Sequence, residues 1–469
     1  MSTEKEIIKL SNSGLAKKIN LFDATLFIMG SVLGSGIFMT TGHVLGYVGR
    51  EKLALLIWLI GGLFTLFGGL VLAELGIKYP KAGGPYIYLK ETYGKWAGFL
   101  FGWIFFWIIE CGGIAALSVG FADHLTSLLG LDNLQLIRVK FFPPYQINIF
   151  ISQIIAIIPI IFLSFINNYG IKMGILIQNI SMIIRAGLIL VLTGYGYAIL
   201  GQKGQISLNN LDSVPKQIGF ENYFLAMLAT LWTYDGWYAA NCTAEEMKSP
   251  EKDLPKAIIL GILGITLIYL GLNLLYVLAL PASDIAGKDR IGETVAKIIF
   301  GPRFSPLITI GIALTIFGCL SSTIIYGPRV YFAMARDKIF FENLGKLNIK
   351  TKVPSQAIWV QAILSSFLCL FGQFQSLYEY VVFSLILFFG ALGLAIFFNK
   401  NKNRAKNIIG EKIIKFIAGI FVLSCLLIYI SCFIWKTKEV LLGLLITLSG
   451  YPAYKYWEKK NSDENIIKL

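Results

Sequence analysis

The chain has 469 residues, of which 56% are apolar and 14% are charged, and its formal net charge is +14. Soluble globular chains carry roughly 25% charged residues, so this composition excludes an ordinary soluble protein. A membrane-crossing helix needs about 20 predominantly apolar residues, and the apolar content suffices for about twelve such helices. In chain order, the apolar runs predict spans 1 to 12 at residues 22–45, 53–75, 97–121, 146–164, 175–200, 222–244, 257–280, 304–333, 355–372, 376–398, 413–434 and 439–456.

The loops between these spans differ in charge. If both termini are on the inner side, the inner segments hold more than twice as many Lys and Arg residues as the outer segments. This bias predicts cytoplasmic termini in a multi-pass protein of the cell membrane, which would be the inner membrane in a Gram-negative bacterium. The positive charge is thus interpreted as a topology signal, and no nucleic-acid partner is predicted. Residues 1–20 are polar, and no cleavable signal peptide is evident.

Residue types that bind metals or catalyse reactions are few. The histidines, His43 and His124, fall near outer ends of spans, where an interfacial polar role is favoured over a ligand or base. No polar catalytic cluster is visible, so an enzyme is not predicted. No metal site or cofactor is predicted either, because the cysteines lie in or beside apolar spans without a close pair. These cysteines are Cys111, Cys242, Cys319, Cys369, Cys425 and Cys432.

Two spans carry unusual interruptions. Span 1 has glycines at 30, 34 and 36, and span 6 contains Asp235-Gly236. Glycine costs roughly 1 kcal/mol relative to alanine in a helix, and a charge at mid-membrane is expensive. Such breaks are tolerable where the freed backbone lines a protected cavity, although glycines also permit close helix packing. Because the breaks are about 200 residues apart, they predict two inverted five-span repeats with a binding site at the midplane.

The physics of these breaks suggests a ligand with two opposite charges. The half-helix beginning near Ser35 and Gly36 presents free N–H groups and a partial positive charge, which suits a carboxylate. The helix end at Val32 and the unwound carbonyls near Trp232 and Thr233 suit an ammonium group. These neighbouring sites predict an amino acid as substrate.

Two side chains of span 6 have predicted roles beside this site. Trp232 is large enough to close over the ligand as a gate, and its alternative role is packing or anchoring. Asp235 precedes the restart of the helix, where its side chain can cap free N–H groups. The capping role is favoured over direct ligand contact.

Four motifs in chain order resemble an amino-acid permease of the amino acid–polyamine–organocation superfamily, especially its L-type and cationic amino-acid branches. They are Gly34-Ser35-Gly36-Ile37-Phe38; Ala73-Glu74-Leu75-Gly76 through Pro80 to Tyr88-Leu89; Tyr234-Asp235-Gly236-Trp237 with Glu245-Glu246-Met247-Lys248-Ser249-Pro250 and Leu254-Pro255-Lys256-Ala257; and Gly327-Pro328-Arg329 to Met334-Ala335-Arg336-Asp337. The resemblance implies alternating access, with Ser35 and Gly36 binding the carboxylate. It also implies amine binding by the Val32 and Trp232 carbonyls and an outer gate at Trp232.

The fold implied by the resemblance is an all-α membrane protein of about twelve helices, with broken helices 1 and 6. Its predicted divisions are a cytoplasmic N-terminal segment (1–20), a first five-helix repeat (21–200), a second repeat (218–398), two peripheral helices (399–456) and a cytoplasmic tail (457–469).

Two residues depart from the family pattern and bear on coupling. Alignment on Gln178-Asn179 places Arg185 where many relatives have a lysine and sodium-coupled relatives bind a cation. Arginine effectively never loses its proton, so sodium-independent transport is expected even though span 8 offers hydroxyls at residues 321–323. Glu110 stands where relatives more often have glutamine. Three roles remain open for it: proton carrier, selector for a basic side chain, or static partner of Arg185.

The sequence therefore predicts a sodium-independent secondary transporter of L-amino acids, working by proton symport or exchange, with amino acid, protons and membrane lipids as partners. A polyamine or basic amino-acid antiporter is one alternative, and an amino-acid-sensing receptor or channel is another. Residues 124–145 contain no cysteine, so no disulfide-linked heavy subunit is expected, and the chain is predicted to be a monomer or homo-oligomer. The side-chain preference of the site cannot be read from these spans.

Overall fold

The computed structural model describes residues 15–34, 36–131, 134–140, 146–202, 219–288, 290–301, 303, 305–370, 374–398 and 408–467. Every predicted span coincides with a helix or a broken helix. In the part of the chain that the structure describes, six of these helices are long and apolar enough to cross a membrane, and the bent pair of span 1 makes a seventh.

The spans have the following bounds. Span 1 is Leu21–Val32 with Gly36–Val48, span 2 Glu51–Lys78, span 3 Lys95–Leu128, span 4 Ile151–Asn167, span 5 Ile171–Gln202, span 6 Phe220–Thr233 with Ala239–Cys242, span 7 Pro250–Ala279, span 8 Ser305–Arg336, span 9 Ser355–Cys369, span 10 Phe374–Phe398, span 11 Glu411–Trp435 and span 12 Thr437–Ile467. Between spans lie the helices Pro85–Tyr93, Ala282–Ile285 and Ile291–Phe300 and the short 3₁₀ turns Ala244–Glu246 and Glu342–Gly345.

Both predicted breaks are present, and they touch each other. The two halves of span 1 meet at an angle of 45°. Span 6 ends at Thr233 and resumes at Ala239. Gly236 lies between these halves with φ +95°, and a Cβ on it would be 2.8 Å from the Ser31 carbonyl oxygen. Only glycine combines this backbone conformation with so close an approach. The break of span 6 is therefore packed directly against the break of span 1.

The helices of the two predicted repeats pack against their counterparts. Span 1 contacts span 6, span 2 contacts span 7, span 3 contacts span 8 and span 4 contacts span 9. This pairing is what a pseudo-two-fold axis between two five-helix units produces. The boundaries 21–200 and 218–398 remain a prediction that this packing supports.

The structure adds three local features. An outer antiparallel hairpin, with strands β1 (Gln135–Lys140) and β2 (Gln146–Phe150), precedes span 4, so that helix begins at Ile151 and not at 146. Span 3 contains a π-helical turn, Phe105–Ile109, directly before Glu110. Span 12 continues as helix through Ile467, across the predicted boundary with the tail. These features depend on hydrogen-bond geometry that average hydropathy does not register.

Candidate functional site

A small cavity lies where the two breaks face spans 3 and 8. Its volume is about 40 Å³, which is enough for a few water molecules. The predicted site residues that line it are Val32, Gly36, Glu110, Trp232, Thr233 and Asp235. Ser35, the other predicted ligand residue, lies outside the described residues. The lining residues that were not among the predicted ligand, gate or coupling residues are Ser31, Gly34, Ile109, Gly113, Leu117, Gly236, Cys319, Thr323 and Tyr326.

The second half of span 1 begins at Gly36, on the cavity wall. The first N–H groups of a helix have no intrahelical acceptor, so this end suits an anion. A Cβ on Gly36 would lie 2.6 to 2.8 Å from three side-chain atoms of Thr233. Thr233 Oγ1 in turn lies 2.6 Å from Thr40 Oγ1. Glycine at 36 thus allows the half-helix to approach span 6 closely.

Tyr269, from the middle of span 7, joins the carbonyl ends of the two breaks. Its hydroxyl group donates toward the Val32 oxygen at 2.8 Å and the Thr233 oxygen at 3.0 Å. The Val32 oxygen also accepts from the Gly34 N–H at 2.8 Å. Two hydrogen bonds fill the lone pairs of a carbonyl, so an ammonium group at Val32 would have to share them. The predicted amine contact at Val32 therefore remains untested, and it competes with Tyr269.

The predicted gate and cap of span 6 both face the cavity. Trp232 is 7% exposed. The Asp235 N–H donates to the Trp232 carbonyl oxygen at 3.0 Å, which tightens the end of this half-helix. The Asp235 carboxylate reaches the cavity and accepts a hydrogen bond from the Gly236 backbone. It does not cap the half-helix that resumes at Ala239, whose N-cap residue is Tyr238 and which has no side-chain cap.

Arg185 is fully buried directly behind the break of span 1. Its Nη1 donates to the carbonyl oxygens of Gly30 at 2.9 Å, Leu33 at 2.8 Å and Thr315 at 3.3 Å. These oxygens come from spans 1 and 8 and converge on one cationic nitrogen. The guanidinium group therefore places a positive charge at the carbonyl end of the first half of span 1, where helix carbonyl groups present partial negative charge.

Glu110 does not pair with Arg185. The hydrogen bonds of Arg185 go to backbone carbonyls, and its Nη2 has no partner. Glu110 is 1% exposed, and its Oε1 also lacks a partner. Asp235 and Tyr326 are its polar neighbours across the cavity. Of the three roles considered for Glu110, static pairing with Arg185 does not fit this geometry.

The end of span 3 that is predicted to face outward is joined to the helix Ile291–Phe300. His124 Nδ1 donates to Glu293 Oε1 at 2.7 Å, and Arg290 donates to the Ser127 hydroxyl group. Burial alone would raise the pKa of the Glu293 carboxyl group. The hydrogen bond from His124, together with the charges of Arg290 and Lys297, outweighs burial and holds this pKa below its usual range.

The ends of spans 6 and 8 that are predicted to face inward are joined by a buried ion pair. Both carboxylate oxygens of Glu246 accept from Arg329, at 2.9 and 3.0 Å, and neither side chain is more than 1% exposed. The Glu246 carbonyl oxygen accepts from the N–H groups of Lys18 and Ile19, and the Ile19 oxygen accepts from Lys248. The segment before span 1 is thereby fixed to the end of span 6.

Within the described ranges, no group of three or more His, Cys, Asp or Glu residues is arranged to hold a metal ion. The span 8 hydroxyls considered for sodium are mostly engaged within their own helix: Ser322 Oγ donates to the Gly318 carbonyl and Thr323 Oγ1 to the Cys319 carbonyl. Ser321 Oγ is buried without a hydrogen-bond partner.

Comparison with known proteins agrees with this fold. A family model described as amino acid permease matches residues 19–445. The serine/threonine exchanger SteT of Bacillus subtilis (strain 168) is 33% identical, over 96% of this chain and 99% of SteT. The human large neutral amino acids transporter small subunit 2 is 28% identical, over 95% of this chain and 82% of its own length. The human b(0,+)-type amino acid transporter 1 is 26% identical, over 96% and 91% respectively.

Proposed function

We propose that this chain, which belongs to the amino acid permease family, carries out sodium-independent exchange of neutral L-amino acids by alternating access. The observation that carries the proposal is the cavity between the two breaks, with a helix N-terminus at Gly36 and carbonyl ends at Val32 and Thr233 on its walls. An α-carboxylate and an α-ammonium group match these two ends. Receptor, channel and polyamine roles are not favoured, since the matching relatives are amino-acid transporters and exchangers.

The substrate is proposed to be a small neutral amino acid. Two matching relatives are named for serine and threonine exchange and for large neutral amino acids. The cavity here is small, and Ile109 and Leu117 supply apolar walls beside the hydroxyl of Thr323. A short side chain with a hydroxyl or methyl group fits this mixture better than a long one.

Sodium independence follows from Arg185. A sodium ion at the break of span 1 would need the carbonyl oxygens that Arg185 Nη1 already contacts. Arginine keeps its charge in proteins, so the cation stays in place through the transport cycle. The proposed coupling ion is instead the proton, carried by Glu110, which is buried at the cavity wall and has an unpaired oxygen.

The proposed setting is the cell membrane with both termini in the cytoplasm, because Lys and Arg are concentrated in the segments assigned to that side. The described cysteines are all free and buried. We propose that the chain works as a monomer or homo-oligomer without a covalently attached partner.

The test is uptake by the purified full-length protein in liposomes. Labelled serine, threonine, alanine, leucine, arginine and putrescine are supplied outside, with or without internal amino acid, and in sodium or choline buffer. We expect serine or threonine uptake that needs internal amino acid and is equal in the two buffers. A requirement for sodium would contradict the role of Arg185, and uptake of arginine or putrescine alone would contradict the substrate.

Two variants locate the site in the same assay. Gly36→Val should abolish uptake, because the new side chain would overlap Thr233 at the break. Gly187→Ala on span 5 is its control, since no atom lies within 4 Å of the added carbon. Normal uptake by Gly36→Val would show that the substrate binds elsewhere.

A further inference from the structure

The carboxyl group of Glu110 has a polar neighbour in span 9, the amide of Gln361. A Cβ on Gly327 would lie 2.3 Å from Gln361 Oε1 and 2.6 Å from Glu110 Oε1. Both oxygens therefore fill the space that this glycine leaves open on span 8. Glu110 is 1% exposed and Gln361 is fully buried, so neither group has access to water at the protein surface.

The facing atoms of this pair are unsatisfied. Glu110 Oε1 and both amide atoms of Gln361, Oε1 and Nε2, are buried without a hydrogen-bond partner. Native structures rarely leave so many buried polar atoms unpaired at one place. Glu110 Oε1 and Gln361 Oε1 are both hydrogen-bond acceptors, so they cannot bond to each other as they stand. A hydrogen bond forms if the carboxyl group is protonated, or if the amide turns its NH₂ toward the carboxylate.

The surroundings of Glu110 supply no positive charge. The titratable groups that face it are acidic, hydroxyl or thiol groups of spans 3, 6 and 8: Cys111, Asp235, Tyr238, Cys242, Cys319, Tyr326 and Tyr331. Among the residues that the structure describes, no Lys, Arg or His forms an ion pair with Glu110. The protonation state of Glu110 therefore depends on the acidic neighbour Asp235 and on uncharged hydroxyl, thiol and amide groups.

We propose that Gln361 is a positioning residue that holds the Glu110 carboxyl group in both of its protonation states. This inference rests on the proposed coupling role of Glu110. The amide oxygen accepts a hydrogen bond from the protonated carboxyl, and the amide NH₂, after a rotation of about 180°, donates to the carboxylate. The proton itself moves between Glu110 and water in the cavity, and Gln361 gains or loses none.

A neutral amide suits a group that must change its state during transport. A lysine or arginine beside Glu110 would keep it ionised, and a purely apolar neighbour would keep it protonated. Gln361 stabilises each form without fixing either. Gly327 allows this contact, because any side chain at that position would occupy the space between the two oxygens.

The test is the pH dependence of uptake by Gln361→Met in the liposome assay, with the best substrate of the panel above. A hydrogen bond to an ionised group is stronger than one to a neutral group, so loss of the amide disfavours the carboxylate. The pH midpoint of uptake should rise by about one unit or more. Gln153→Met on span 4 is the matched control, because Gln153 is also buried but donates to the Leu370 carbonyl. Its midpoint should stay at the wild-type value.

An infrared measurement separates this inference from the coupling proposal. The C=O stretching band of protonated Glu110, assigned by its loss in Glu110→Gln, should shift in Gln361→Met. If Glu110→Gln abolishes the pH dependence while Gln361→Met changes neither midpoint nor band, the inference is wrong and the coupling role stands. If Glu110→Gln leaves the pH dependence intact, the coupling role is wrong, and an unshifted band then also rejects the positioning role.

A second variant covers the case in which Gln361→Met does not fold. Gly327→Ala places a methyl group between the two oxygens and should raise the midpoint in the same direction. A wild-type midpoint and band in Gly327→Ala would overturn the inference.

Discussion

At the scale of single residues, the site depends on side chains that form hydrogen bonds with backbone carbonyl oxygens at the two breaks. Tyr269 places one hydroxyl group on the carbonyl ends of both breaks, and Cys319 donates its thiol to the Ser31 oxygen at 2.9 Å. The sequence indicated Arg185 and Glu110, because charged residues in apolar spans stand out. It did not indicate Tyr269, since a tyrosine inside a long apolar run looks like any other core aromatic. The one feature that could have pointed to Tyr269 is its hydroxyl group, because a buried tyrosine hydroxyl usually needs a hydrogen-bond partner.

Removing the Tyr269 hydroxyl should impair transport more than folding. In Tyr269→Phe the Val32 and Thr233 carbonyls lose their shared donor, and the relative position of the breaks becomes less defined. We expect uptake to fall about tenfold, with a loss of about 1 kcal/mol in the free energy of unfolding. Uptake and thermal unfolding in detergent measure the two effects.

Tyr276→Phe provides a matched control on the same helix. Tyr276 is fully buried, and its hydroxyl group has no hydrogen-bond partner. Its removal should leave uptake unchanged and stability equal or slightly higher. Equal uptake in both variants would show that the bridge at the breaks has no role in transport.

At the scale of elements, the sequence predicted the position of every span, because long apolar runs are fixed by the thickness of the membrane. Its bounds were less accurate, since the helices of spans 3, 7 and 12 extend seven or more residues beyond them. The start of span 4 was misplaced, since Ile147, Ile149 and Phe150 of β2 directly precede the apolar helix and extend its apolar run. The outer helix Ile291–Phe300 was not identified, because it is short and amphipathic. Its contacts with span 3 come from side chains nearly 170 positions apart in the chain.

The pair of His124 and Glu293 should make this outer contact sensitive to acid. The pKa of Glu293 is lowered in the folded protein, so its stabilising contribution is present above the usual glutamate value and is lost as the pH falls through the folded value. Glu293→Gln should therefore lower stability by about 1 kcal/mol at pH 7 and remove the part of the acid destabilisation that this group causes.

Thermal unfolding between about pH 7 and pH 3 measures this effect, because the range must extend below the usual glutamate pKa to reach the lowered folded-state value. Glu221→Gln, an exposed glutamate at the outer start of span 6, is the control and should behave as wild type. An acid limb of the same size in Glu293→Gln and wild type would contradict the assignment.

At the scale of the whole molecule, ion pairs join the helix ends on the side that is predicted to face the cytoplasm, called the inner side below. Arg329 and Glu246 join spans 8 and 6, and Glu245 accepts from Arg336 at 3.0 Å and from the Ala82 N–H at 3.1 Å. These contacts must separate if the substrate is to leave toward the inside. The sequence showed these residues only as loop charges and motif members, because pairing across about 80 residues is a property of the folded chain.

Breaking the buried pair on one side should be costly. Glu246→Gln leaves Arg329 charged and partly unpaired in the interior, and we expect a loss of about 3–5 kcal/mol in the free energy of unfolding. The double variant Glu246→Leu with Arg329→Met should be less destabilised than the single one, because no lone charge remains.

The exposed pair of Glu411 and Lys415 provides the comparison. These side chains are 2.6 Å apart at the surface of span 11, so Glu411→Gln should cost less than about 1 kcal/mol. Unfolding in denaturant measures all three variants. If Glu246→Gln costs no more than Glu411→Gln, the buried pair does not hold the inner side.

The resident guanidinium of Arg185 has a consequence for the electrical behaviour of transport. Moving one elementary charge across the membrane changes the free energy by about 2.3 kcal/mol per 100 mV. A cation held by three carbonyl groups of the protein does not cross with the substrate. Exchange of one zwitterion for another then carries no net current, and the membrane voltage gives it no direction. Any electrical current measured during transport would then report the protons that cross the membrane with the substrate.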